Sequence, residues 1–275
     1  MDPHGVALWC ALPLAVGVSI DCLEVLADHA QLDEGGLYGY SLMATGRPSL
    51  LSGSLAALSA AMFRYPNVLG LVMAQLGAAA VLAAAAIVRS GGLILPAGLA
   101  VLLILGARLL LYLRNQVGWD GSDHMIQVVC TGLGVACLIP GRAAQTIALD
   151  YIAAQLLLSY AVAGVAKAVS PAWRSGRAIT GIMSTVDFGT PRVGAYLRDN
   201  PTLARAVCWS VIVFECGAAV AIVAGTPGAI VIIVGGLLFH ISAAVLMGLN
   251  KFFWVFAATY PALLLLAHSV DTLWR

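Results

Sequence analysis

Eight apolar stretches, each about 20 residues long, set what this chain can become. They run over 6–27, 68–88, 93–113, 124–141, 145–168, 204–224, 228–247 and 251–268. A helix of that length spans the hydrocarbon core of a bilayer. In lipid each backbone N–H and C=O must be satisfied within its own segment or a closed barrel, and runs this long and uniformly apolar select the helix. Composition agrees: 61% of residues are hydrophobic and 10% charged, whereas a soluble domain carries roughly 25% charged residues. The expected fold is an all-α, polytopic transmembrane helix bundle of about eight spans. It forms a single domain over 1–275 with no soluble domain.

Between the spans, two segments stand apart. In 29–66, Arg47-Pro48 breaks a mixed stretch, and 50–63 then reads as an interfacial or re-entrant helix. Residues 170–203 form the longest polar connection and are expected to fold against the membrane surface. Gly248-Leu-Asn250-Lys251 reads as a tight turn or a kink between the last two stretches. The N-terminus, Met1-Asp2-Pro3-His4, lacks the basic region of a cleavable signal, so the first apolar stretch is expected to be retained.

Basic residues give an orientation. With eight spans, Arg47, Arg64, Arg108, Arg114, Lys167, Arg174, Arg177, Arg192, Arg198, Arg205 and Lys251 fall on one side, and Arg89, Arg142 and Arg275 on the other. Eleven against three predicts that the first side is cytoplasmic in a multi-pass cell-membrane protein. A net charge of +1 and only two lysines leave no basic stripe for nucleic acid. The six cysteines lie in apolar stretches without a C-x-x-C pair, which reads as buried small side chains; Cys130 and Cys137, on one helix face, are the alternative redox pair. No residue set suggests a metal.

Ionisable residues inside the apolar stretches are the first places to look for function. Asp21, Glu24, Asp150, Lys167, Glu215 and His240 are the ones singled out. Asp21 and Glu24 share a helix face and would bind a cation or an arginine, or else pair with loop basics at the helix end. Glu215 must face the bundle interior, protonated or paired. His240 is mid-span and reads first as a packed, hydrogen-bonded residue. Lys167 closes its stretch and either snorkels to the interface or works. Its helix places Tyr160, Gly164 and Lys167 on one face, and Gly164 lets a neighbouring helix or a flat ring approach. The loop Arg114-Asn115-Gln-Val-Gly118-Trp119-Asp120-Gly121-Ser-Asp123-His124 reads as a turn with Asp123 or Ser122 as N-cap. It also makes a plausible polar mouth, with helix N–H donors for an anion.

This loop, the string Tyr160-Ala-Val-Ala-Gly164-Val-Ala-Lys167 with Trp173-Arg-Ser-Gly176, and Phe239-His240 with Gly248-Leu-Asn-Lys-Phe252 together resemble the HTTM family. These are bacterial relatives of the membrane part of vitamin K-dependent γ-carboxylase. The resemblance implies a lysine base that starts oxygenation of a vitamin K-like quinol. It maps that base onto Lys167 and a second catalytic residue onto His124. Tyr160, Gly164, Asn115, Asp120, Trp173 and His240 then become candidate substrate-binding residues. A lysine beside apolar helices loses solvation, and the neutral amine can accept a phenolic proton. Partners would be membrane lipid, a lipophilic small molecule and a separate protein partner or substrate.

Two departures from the family stand out. The carboxylase carries a large lumenal domain that this sequence lacks, which puts protein-glutamate carboxylation in doubt. The basic-residue count also places Lys167 on the cytoplasmic side, whereas the family's site faces the lumen. Two other classes stay open: a non-catalytic assembly, immunity or export partner, and a small transporter built on Glu215 and Asp21.

Overall fold

A computed structural model describes residues 2–45, 54–115 and 117–273, with backbone alone at 54 and 55. Among the described residues the chain is helical and has no strand. In chain order the helices are α1 (Pro3–Ala27), α2 (Tyr40–Ala44), α3 (Ser54–Phe63), α4 (Leu69–Val88), α5 (Ile94–Arg114), α6 (Gly121–Leu138) and α7 (Arg142–Val169). They continue as α8 (Pro171–Arg174), α9 (Arg177–Ile182), α10 (Pro191–Asp199), α11 (Pro201–Ala221), α12 (Thr226–Met247), α13 (Asn250–Ala257) and α14 (Tyr260–Leu273).

Seven segments among the described residues are long and apolar enough to cross a membrane: Pro3–Ala27, Leu69–Val88, Gly91–Arg114, Arg142–Val169, Pro201–Ala224, Thr226–Met247 and Asn250–Leu273. The eighth member of the bundle is α6, whose polar opening Gly121-Ser-Asp-His124 dilutes its hydropathy. It packs between α5 and α7 and against α1 and α13. The expected stretch 124–141 is thus shifted to 121–138, because Asp120 caps the helix earlier than the apolar pattern shows. Neither Asp123 nor Ser122 is the N-cap. Asp120 accepts from the Ser122 and Asp123 N–H groups at 2.8 and 3.2 Å, and Asp123 reaches back to the Asp120 N–H at 2.9 Å, a reciprocal capping box.

Gly248 settles the ending of α12 as a turn. Its φ of 72° is open to glycine, and its N–H closes onto the Ala243 and Ala244 carbonyls. The final span is two helices, α13 and α14, that meet at Ala258-Thr259. Pro261 in the first turn of α14 has no N–H to continue the ladder. At the opposite end of the bundle Asp271 closes α14 onto the start of α12, accepting from the Thr226 N–H at 3.1 Å.

The 170–203 connection folds as α8, α9 and α10 and seats on α11 through a small cluster of Met183, Leu197 and Ala204. The Trp209 indole donates to the Arg174 carbonyl at 3.2 Å. Thr190 ties the same layer to α12 through the Leu246 carbonyl. Of the helix expected over 50–63, Ser54–Phe63 is observed and 50–53 lie outside the described residues, as does Arg47-Pro48. The alternation of the eight long segments brings Lys167, Arg174, Lys251 and the α5–α6 loop to one end, with Arg89 and Arg142 at the other.

Candidate functional site

Two polar clusters sit inside this apolar bundle. The first lies where α1, α5, α6 and α13 converge. Arg108 is 2% exposed and bridges helices, donating to Asp123 at 2.7 Å and to Asp21. Lys251, at the start of α13, lies 2.9 Å from Asp123, 3.2 Å from Asp21 and 3.5 Å from Asp120. Asp21 therefore has its arginine, as its place in an apolar span requires. Glu24, one turn on, accepts from the Asn250 amide at 3.3 Å. A cavity of about 280 Å³ opens beside this network, lined by Asp21, Glu24, Asp28, Arg108, Asn115, Trp119, Asp123 and Lys251 among others.

Below the loop, Arg114 is fully buried. It donates to the Phe63 carbonyl at 2.8 Å, to the Leu32 carbonyl at 3.2 Å and to the Asn115 side chain at 2.6 Å. It thereby pins α3 and the segment after α1 to the end of α5. Asn115 in turn accepts from the Trp119 indole through its carbonyl at 2.6 Å. His124 is exposed; its Nδ1 donates to the Asp120 carbonyl at 2.9 Å and its ring meets the edge of Tyr112 at 6.3 Å.

The second cluster lies between α7, α11 and α12. Lys167 Nζ donates to both oxygens of Glu215, at 2.8 and 2.7 Å, and lies 5.2 Å from the centre of the Trp173 ring. Glu215 is 3% exposed and Lys167 19%, so the pair runs from the interior toward the bundle surface. Close helix approach makes the pair possible. A Cβ on Gly164 would fall 2.7 Å from the Cys216 nitrogen, so only glycine lets α7 and α11 meet there.

Two turns further along α7, Tyr160 OH is 3.0 Å from His240 Nε2 and 3.4 Å from Tyr260 OH. Phe256 stacks on His240 at 4.1 Å and Phe214 meets Tyr160 edge-on at 5.2 Å. Gly236 opens space for both tyrosines: a Cβ there would come within 2.9 Å of Tyr160 OH. Among the described residues His240 Nδ1 and one Asp150 oxygen are buried without a partner.

The candidate residues therefore divide. Lys167, Gly164, Tyr160, Trp173 and His240 belong to the second cluster, whereas Asn115, Asp120 and His124 belong to the α5–α6 loop beside the first. Phe252 connects them, stacking 6.2 Å from His240 next to Lys251 in the chain. Two pairings are not legible in the sequence. Arg108 lies within the apolar stretch 93–113, where a charge should have stood out, but it reads as one more basic residue near a loop. Glu215 reads as a buried acid without a named partner.

Among the described residues no group of His, Cys, Asp and Glu is arranged to hold a metal ion. All six cysteines are free thiols. In the comparisons with known proteins, no family model, no curated protein and no solved structure matches this chain.

Proposed function

We propose that this multi-pass membrane protein is an enzyme that deprotonates a quinol-like lipophilic substrate at the Lys167–Glu215 pair. The observation that supports it most is the pair itself: a cation and a carboxylate held together inside an apolar bundle, with Trp173 and the Tyr160–His240 aromatics alongside. An intramembrane ionisable pair is by default a site of function. The resemblance to HTTM proteins supplies the substrate class, and the partly exposed Lys167 end of the pair gives a ring a route in.

Lys167 is a proton acceptor only when its ammonium has given a proton away. Glu215, in contact with Nζ through both oxygens, takes that proton. The neutral amine then accepts the phenolic proton, leaving Lys167 as ammonium, Glu215 as the acid and the substrate as phenolate. The net transfer runs from the quinol O–H to the Glu215 carboxylate. Trp173 flanks the ammonium. His124 lies outside this step, since its contacts run to Tyr112 and Asp120.

Dioxygen-dependent consumption of a prenylated naphthoquinol by purified protein in lipid nanodiscs tests the reading, since the phenolate formed at the pair is the species that dioxygen oxidises. Wild type should consume it, and Lys167→Ala and Lys167→Arg should not, because a guanidinium stays protonated. Full activity in the arginine variant would reduce Lys167 to a fixed positive charge. The pair would then be a strut between α7 and α11, and the non-catalytic reading would replace this one.

A further inference from the structure

We infer that the cavity between α9, α10 and the start of α11 binds a phosphate group, as in a phosphomonoester. Its volume is about 250 Å³, just below the usual range for small-molecule sites. Buried Leu197 and Ala204 give it an apolar wall, and Arg177, Arg198, Ser175 and Thr180 bring polar side chains to it.

Charge decides what enters. Residues 170–205 carry Arg174, Arg177, Arg192, Arg198 and Arg205 against Asp187 and Asp199. Inside the bundle Arg108, Lys167 and Lys251 each hold a carboxylate. Among the described residues Arg177 and Arg198 hold none. Their hydrogen bonds run to hydroxyls instead: Arg177 Nε donates to Ser175 Oγ at 3.1 Å, and Arg198 donates to Ser184 Oγ at 3.1 Å. Each guanidinium thus keeps most of its five donors for a ligand, and its planar fork matches two phosphate oxygens at once. Two cations from separate helices, with no acidic side chain in the lining, suit the roughly two negative charges of a phosphomonoester at neutral pH.

The anion expected at the α6 N-terminus is not favoured, because Asp120 and Asp123 already occupy that helix's first N–H donors. The place of the second cavity fits a phosphate better. Its lining includes Pro201, the first residue of a segment long enough to span a membrane, so it lies at the depth of lipid head groups. The site shares no lining residue with the Lys167–Glu215 pair and does not depend on the function proposed for that pair.

The test is calorimetric titration of the full chain in non-ionic detergent with glycerol 3-phosphate and with dioctanoyl phosphatidic acid. Glycerol and dioctanoylglycerol, which lack the phosphate, are the controls. Saturable binding is expected for the phosphates and not for the controls. Arg177→Gln and Arg198→Gln should each weaken it about tenfold, as loss of a hydrogen bond to a charged group does. Arg192→Gln removes the same charge from the same layer but lies outside the lining, and it should bind as wild type does. All three side chains are exposed, so the variants should keep the wild-type melting temperature.

The two phosphates distinguish the source of the ligand. A membrane lipid is the source if phosphatidic acid binds more tightly than glycerol 3-phosphate, and a soluble phosphomonoester is the source if it does not. Four results would each overturn the inference: no saturable binding of either phosphate, dioctanoylglycerol binding as tightly as phosphatidic acid, wild-type affinity in the Arg177→Gln/Arg198→Gln double variant, or an equal loss in Arg192→Gln.

Discussion

The Arg108 network and the Lys167–Glu215 pair use the same kinds of charge and are built differently. Arg108 and Lys251 share Asp21 from α1 and Asp123 from α6, and Lys251 also meets Asp120 at the α6 cap, so each cation has at least two partners. Four elements are tied at one point, and three of its members come from places far apart in the chain. Lys167 has a single carboxylate on a single neighbouring helix, and it keeps one side toward the bundle surface. A network with redundant partners resists the movement of any one proton. A lone pair in an apolar setting can pass its proton to a third group without loosening the fold. The first arrangement holds helices; the second leaves chemistry available.

The comparison breaks most sharply at Lys167. Lys167→Ala should lower quinol consumption by about 10²–10⁴-fold, the range expected when a positioned acid–base group is removed. The folded yield by size-exclusion chromatography should hardly change, because Lys167 is partly exposed and Glu215, left without its cation, can stay neutral by keeping a proton. Unfolding of the variant would make the pair structural and erase the contrast.

Arg108→Met should act the other way. It leaves buried Asp123 and partly buried Asp21 with only Lys251 between them, and breaking a buried pair in this manner costs about 3–5 kcal/mol. A large drop in detergent melting temperature is expected. A melting temperature equal to wild type would mean that the network carries no stability.

Gly164→Leu probes how the lean pair is positioned. The side chain would press on the Cys216 backbone, and overpacking of this kind costs typically about 1–3 kcal/mol. It should push α11 away and reduce activity even though Lys167 and Glu215 are both present. Activity at the wild-type level would show that the close approach is not needed.

His240→Phe should cost less stability than Arg108→Met or Gly164→Leu. It removes one hydrogen bond to Tyr160 and keeps the aromatic stack on Phe256, a change of about 1 kcal/mol. A melt that falls as far as that of Arg108→Met would place His240 among the structural residues instead.

How much of this was legible follows the range of the interactions. The long apolar stretches announced the bundle, because lipid forces each of them to satisfy its own backbone. The one-face relation of Tyr160, Gly164 and Lys167 was legible too, since it depends only on helical spacing. The start of α6 was misplaced because a capping box is decided by a side chain outside the apolar pattern. The break between α13 and α14 at Ala258-Thr259 lies inside the single apolar stretch 251–268, and Pro261 is its one local sign. Arg108 and Arg114 were the larger misses. Arg108 meets Asp21 across 87 residues and Arg114 meets Leu32 across 82, and no local pattern carries such pairings. For the same reason the sequence shows Glu215 as a buried acid but not its partner Lys167, 48 residues away.

The chain's two lysines make a direct measurement possible. Protein labelled with ¹⁵N only at lysine side chains should give two Nζ resonances, one from the redundant network and one from the lean pair. On titration with a non-oxidisable phenolic analogue of a prenylated quinol, the Lys167 resonance should shift while the Lys251 resonance stays fixed, and Glu215→Gln should abolish the shift. If Lys167 does not respond, or if Lys251 moves as much, the pair is not where a substrate proton is received.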